Sequence, residues 1–196
     1  MWRIKFMGTD ISTNFPDRYM LYGRVHMGFG TYGTPIVRTW GENTTLDIGK
    51  FSSIADAVTI FLGGEHRSDW VTTYPFNAFL DEYAYITGHP KTKGNVVIGN
   101  DVWLCHGATI LSGVTIGDGA VIGCNSLVTR DVPPYGVVAG NPGKVVKYRF
   151  DEATIKELLE IKWWDWNLDI IKKSVPLLMN EDIKAFIEYA KKIERP

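Results

Sequence analysis

The sequence predicts a mainly β chain wound as a parallel β-helix, with a long loop thrown out of the coil and a helical tail behind it. Three observations predict this. Six-residue repeats run from Ile98 to Pro133, the frame breaks between Ile60 and Ile98, and helical spacing takes over after Phe150. The repeats read IGNDVW, LCHGAT, ILSGVT, IGDGAV, IGCNSL and VTRDVP. Their first residues, Ile98, Leu104, Ile110, Ile116, Ile122 and Val128, are all branched aliphatics. Their fifth residues, Val102, Ala108, Val114, Ala120, Ser126 and Val132, are small or β-branched. Asn, Asp and Gly crowd the third and fourth positions. A helix, turning about 100° per residue, would smear a six-residue period around its surface. A coil of short parallel strands uses it directly. Each six supplies one strand and one corner, and three sixes close a turn of a triangular prism. Positions one and five both face inward, because side chains alternate along a strand.

Residues 1–35 read as a loop-rich segment with short strands, where Tyr19, Tyr22, His26, Phe29 and Tyr32 alternate with glycines. These aromatics either line a pocket or cover the end of the coil. The coil is assigned to residues 36–149. It begins weakly, since Ile36 and Ile48 match the frame but Glu42 breaks it. Units starting at Ile48, Ile54 and Ile60 then complete one turn. From Ile60 to Ile98 is 38 residues, two more than a multiple of six. Residues 66–95 are therefore expected to leave the coil as an aromatic-rich loop, and a loop of that length in a compact fold is usually functional. After the last repeat come a strand, a Gly-Asn-Pro-Gly turn and an exit strand. Residues 150–196 form the helical tail, with Asp151 and Asn167 as caps, Pro176 ending the second helix and Asn180 starting the third.

Composition narrows the function. The chain has 196 residues, 45% hydrophobic and 22% charged, with a net charge of −1. No nucleic-acid footprint is expected at that charge. There is no 18-residue apolar run and no apolar leader, so neither membrane insertion nor a signal peptide is expected, and the reading is cytoplasmic. Cys105 and Cys124 both fall in the coil and read as reduced thiols. The exposed faces of a three-sided prism favour a closed homo-oligomer, most naturally a cyclic trimer.

Four histidines are present, His26, His66, His89 and His106, and none has HxxxH, HxxxxH or CxxC-type company. No metal is expected. His66 stands out, because it follows Gly63 and Gly64 where the regular coil ends and the loop departs. A neutral imidazole there can remove a proton from a hydroxyl or ammonium near pH 7, or simply hydrogen-bond the loop. His106 reads as a surface corner residue and His89 as loop.

Two stretches carry a family resemblance. LGGEHRSDWVTTYPF, followed by IGNDVWLCHGATILSGVTIGDGAVIGCNSLVTRDVPPYGVVAGNPGKVV, resembles the xenobiotic acetyltransferase branch of the hexapeptide-repeat acyltransferases. That branch includes type B chloramphenicol and streptogramin acetyltransferases and relatives in polysaccharide pathways. The resemblance covers roughly residues 46–167 and implies a left-handed parallel β-helix, a homotrimer with sites between subunits, and acetyl-CoA as donor. It implies that His66 is the general base for direct attack by an acceptor hydroxyl. The other nitrogen of His66 must then be held by a carbonyl or carboxylate; Glu65 should point away, leaving Asp69 as a candidate holder. For CoA the resemblance implies Trp103 and the turns near Ala108 and Ser126 along a groove, with Asn141, Pro142, Lys144 and Lys147 at the nucleotide end. Both lysines equally read as solvated charges, and Trp103 as a trimer contact. Tyr22, Tyr32, Trp40, Trp70 and Tyr74 are the candidate acceptor contacts. The expected reaction is O-acetylation of a saccharide or an antibiotic, in resistance or in polysaccharide modification. N-acetylation of a nucleotide-linked amino sugar and a non-catalytic scaffold are the alternatives.

Overall fold

The structure, a computed structural model, describes residues 17–20 and 24–193. The chain divides into two compact units, Met1–Lys147 and Tyr148–Pro196.

The first unit is a coil of short strands. Six of them repeat the sixes: β7 (Val96–Ile98), β8 (Trp103–Leu104), β9 (Thr109–Ile110), β10 (Thr115–Ile116), β11 (Val121–Ile122) and β12 (Leu127–Val128). Each next strand enters a different one of three sheets, and every third strand returns to the same sheet. Within a sheet the strands pair in parallel, placing Ile98 on Ile116, Leu104 on Ile122 and Ile110 on Val128. Both inward positions of all six units are buried, from Ile98 and Val102 to Val128 and Val132. Each such apolar side chain contributes roughly 1.5–3 kcal/mol by leaving water. Three parallel sheets and a mainly β content fit a left-handed parallel β-helix.

The corners explain the turn-formers. The fourth residue of each of the first five sixes has positive φ: Asp101 (54°), Gly107 (70°), Gly113 (74°), Gly119 (68°) and Asn125 (56°). Only Gly, Asn and Asp adopt that region cheaply. The third residues then bond between turns. Asn100 Oδ1 accepts from the Lys50 amide at 2.8 Å, and Asp118 Oδ1 accepts from the Asn100 amide at 2.7 Å.

The earlier turn comprises β4 (Leu46–Ile48), β5 (Ser53–Ile54) and β6 (Thr59–Phe61). Its members stack on β7, β8 and β9 with Ile48 on Ile98, Ile54 on Leu104 and Ile60 on Ile110. The frame therefore resumes in phase after the insertion between β6 and β7. Glu65 and Lys91 pair antiparallel at the base of that insertion. Residues 92–94 already bond to the coil, since Thr92 Oγ1 donates to Leu62 O and Gly113 N donates to Gly94 O.

The first turn departs from expectation. The coil starts before Ile36, at β2 (Val25–Met27), which pairs in parallel with β4 and antiparallel with β1 (Arg18–Met20). In β3 (Ile36–Arg38), Val37 rather than Ile36 stacks on Ile60, and Ile36 is exposed. Val37 and Ile48 lie 11 residues apart, one short of two sixes, so the six-residue frame slips by one here. The expected Tyr22 contact lies outside the described residues. At the far end, β13 (Gly136–Ala139) pairs in parallel with β11, and β14 (Lys144–Tyr148) lies beside β13. Cys105 and Cys124 are free thiols; burial, then the neighbouring Cys124, pushes Cys105 up to about 11.

The second unit is helical, with helices Glu152–Ile161, Leu168–Leu178 and Ile183–Lys192. Asp151 accepts from Thr154 N and Asn167 from Ile170 N, each capping its helix. Pro176 lies inside the second helix instead of ending it; the helix runs two residues further, to Leu178. Asp182, not Asn180, caps the third, accepting from Ala185 N while Asn180 accepts from Asp182 N. Among the described residues no helix is long and apolar enough to cross a membrane.

Candidate active site

The site is built where β6 runs out. Past Phe61 the chain passes Leu62, Gly63 and Gly64 and reaches Glu65 and His66. Glu42, which interrupts the six-residue row, reaches this junction. One carboxylate oxygen accepts from the Gly64 amide at 2.5 Å, and the other accepts from the Trp40 amide at 2.8 Å. Both glycines are required. A Cβ on Gly63 would lie 2.2 Å from Glu42 Oε1, and one on Gly64 (φ +79°) would lie 2.3 Å from the Trp40 ring. Trp40 thus lies flat on the junction, stacked on Phe61 at 6.1 Å and 12°. Burial raises the Glu42 carboxyl, but its amide hydrogen bonds outweigh burial and hold it below the usual carboxylate value.

The sign of that shift makes a prediction. A carboxyl depressed in the folded state stabilises the fold above its unfolded pKa and loses that contribution as pH falls through the folded pKa. Glu42→Gln is therefore expected to cost about 1 kcal/mol near neutrality. The gap should shrink as pH is lowered from neutrality through the depressed folded pKa, below which wild-type Glu42 is itself neutral. Urea midpoints at both ends of that range check it, and a gap that does not change with pH would contradict it.

His66 is exposed, and its Nδ1 lies 2.8 Å from the carbonyl oxygen of Thr73. A carbonyl only accepts, so Nδ1 carries the proton in the neutral ring and Nε2 keeps its lone pair. Asp69 is not the holder. Arg67 takes both its oxygens, at 2.7 and 2.6 Å, and holds the carboxyl down at about 2. Glu65 points elsewhere as expected, accepting from Ser112 Oγ at 2.7 Å.

A second imidazole joins His66, from the loop residue His89. The Glu65–Lys91 pairing brings His89 against His66, ring centroids 4.7 Å apart and 76° between planes. Trp70 approaches His89 at 6.2 Å and lies under the Arg67 guanidinium at 4.8 Å. Trp40 thus lies on the Gly64 step before His66, and Trp70 on the His89 ring beside it. Tyr74 follows the Thr73 carbonyl, but its ring packs on Phe76 and Phe79. Tyr32 bridges to Ser53, which pairs with Trp103, and so belongs to the outer face that carries that tryptophan.

The expected CoA residues divide. Trp103 is half exposed on the outside of the coil. Ala108 and Ser126 are 0% and 1% exposed. They occupy inward fifth positions, so neither side chain reaches an outer groove. Asn141, Pro142, Lys144 and Lys147 are all exposed. Pro142 and Lys144 line a cavity of about 510 Å³, together with Arg130 and Asp131 from the last repeat. Arg130 is a cation the sequence reading missed, visible only as the third residue of VTRDVP. Among the described residues no group of three His, Cys, Asp or Glu side chains could hold a metal ion.

Comparison with known proteins places the chain. The bacterial transferase hexapeptide family (six repeats) matches residues 95–130. The chain is 43% identical over 148 residues to a chloramphenicol acetyltransferase of Klebsiella aerogenes, covering 74% of this chain and 70% of that one. It is 44% identical over 140 residues to a probable macrolide acetyltransferase of Lysinibacillus sphaericus, covering 69% and 78%. Its fold is similar to a hexapeptide-repeat acetyltransferase of Vibrio cholerae, with TM-score 0.51 and 24% identity over 66% of this chain and 65% of that one.

Proposed function

Since the chain belongs to the hexapeptide-repeat acetyltransferases, together with the chloramphenicol and macrolide enzymes, we propose that it transfers acetyl from acetyl-CoA to a hydroxyl of a small acceptor, with His66 as general base. The observation that carries this reading is the hydrogen bond from His66 Nδ1 to Thr73 O, which leaves Nε2 as a proton acceptor at an exposed position. His66 takes the proton of the acceptor hydroxyl as that oxygen attacks the thioester carbon. It then returns the proton to the departing thiolate, so no acyl-enzyme is needed. Base catalysis of this kind is worth roughly 10²–10⁴-fold.

The donor site fits its ligand in charge. Arg130 and Lys144 line one cavity beside Pro142, and a pyrophosphate needs such cations. Lys147 lies along the same exit strand. Trp103 offers an apolar surface for the pantetheine arm. We read Trp40 and Trp70 as walls of the acceptor site, since both assemble around the His66 junction. A homotrimer with sites between subunits supplies a use for the exposed Val71, Phe79 and Tyr85 of the insertion, which a neighbouring chain would cover. A cytoplasmic location follows from the donor, which cells make and hold there. The acceptor is a hydroxylated antibiotic, such as the relatives' names suggest, or a saccharide.

Thiol release from acetyl-CoA tests the reading against chloramphenicol, a streptogramin, free sugars and nucleotide-linked amino sugars. The expected result is release with one of the hydroxyl acceptors. Release with the amino sugars alone would replace O-acetylation by N-acetylation.

A further inference from the structure

His89 is nine-tenths buried, and neither of its ring nitrogens has a hydrogen-bond partner among the described residues. Each buried polar atom left unmet costs on the order of 1–3 kcal/mol. A phenyl ring would fill the same space without stranding two nitrogens. Packing therefore explains a ring at this position but not an imidazole. Such orphans call for a use outside folding.

The neighbour supplies that use. The His89 and His66 rings meet at a T-shaped contact, 4.7 Å between centroids and 76° between planes. A neutral His66 offers His89 nothing to answer its dipole. During turnover His66 accepts the acceptor's proton and becomes an imidazolium. A cation beside an aromatic ring is attracted to its π-electrons, and an imidazole adds a lone pair and a large dipole. His89 is buried and held by packing, so its dipole needs no reorganisation to meet that charge. It exists only while the charge exists, so it lowers the barrier rather than tightening the ground state.

We propose that His89 is a positioning residue for His66: a buried imidazole whose dipole steadies the positive charge that appears on His66 as it takes the acceptor's proton. The proposal rests on the reading of His66 as general base. Trp70, on His89, helps hold the second ring in place.

The test compares His89→Phe, His89→Gln and His66→Ala with wild type. It reads thermal unfolding and thiol release from acetyl-CoA with the panel acceptor that wild type uses fastest. His89→Phe is expected to melt at least about 4 °C higher, because the two stranded nitrogens are gone. Its kcat is expected to fall about ten-fold while both KM values stay within about two-fold. His89→Gln, which restores a dipole, should recover most of kcat. A lower melting temperature for His89→Phe, an unchanged kcat, a loss confined to KM, or Gln no better than Phe would each overturn the proposal. Turnover that survives in His66→Ala, or no turnover at all, would remove the base reading and this proposal with it. A dead His66→Ala beside a fully active His89→Phe would remove this proposal alone.

Discussion

His66→Ala is expected to lose acetyl transfer by a factor of about 10²–10⁴ in kcat, with CoA affinity unchanged. The size follows from what the ring does. An alcohol is a poor nucleophile until its proton is leaving, and Nε2 is the free acceptor once Nδ1 is tied to Thr73 O at 2.8 Å. CoA affinity should hold because the cations assigned to its phosphates, Arg130 and Lys144, line a cavity to which His66 does not belong. The fold should hold too, because His66 is exposed and its removal leaves no buried void. Steady-state kinetics with the active acceptor and a CoA titration check both halves. A variant that turns over as fast as wild type would mean the proton goes elsewhere.

Ile110→Ala is expected to cost about 2–5 kcal/mol, a large stability effect for a single substitution in the coil. Ile110 is fully buried and is the middle rung of a column, with Ile60 on one side and Val128 on the other. Deleting its side chain opens a void that both neighbours face. In a solenoid each turn is stabilised chiefly by the turns beside it, so loss at a middle rung weakens two interfaces. The melting temperature should fall by about 5–15 °C for a chain of this size. Thr115→Ala, at an exposed position of β10, should stay within about 0.5 kcal/mol of wild type. Equal effects at the two positions would show that inward and outward positions are not distinguished as the repeat requires.

How much was legible depends on how local the signal is. The six-residue frame was legible because strand alternation and corner geometry are both short-range. Ile98, Ile110 and Val128 are inside for the same reason that Gly107 and Asn125 sit at positive φ. The frame also limits the role that the resemblance suggested for the turns near Ala108 and Ser126 to their backbone. Ala108 and Ser126 are fifth-position residues and therefore inside, whatever the groove outside binds. The first turn was misread at Ile36, because its corners depart from the repeat and a one-residue slip turned Val37 inward instead.

At the site, the Gly-Gly step before His66 was visible, but its reason was not. Glu42 and Trp40 occupy the space that side chains at Gly63 and Gly64 would need, and they come from the preceding turn. The holder of His66 was open between a carbonyl and a carboxylate, and only the carboxylate candidate, Asp69, could be named, because side chains are what a sequence displays. The group in place is the backbone carbonyl of Thr73, while Arg67 claims Asp69. His89 escaped notice because its approach depends on Lys91 pairing with Glu65 across the whole insertion.

The central claim is that the Thr73 carbonyl fixes the proton of His66 on Nδ1 and leaves Nε2 bare. The most direct measurement is a ¹⁵N multiple-bond NMR correlation of the His66 ring in the neutral protein, assigned with His66→Ala. The account predicts a protonated, pyrrole-like Nδ1 and an unprotonated, imine-like Nε2. A ring protonated on Nε2, or an even mixture of the two tautomers, would contradict it.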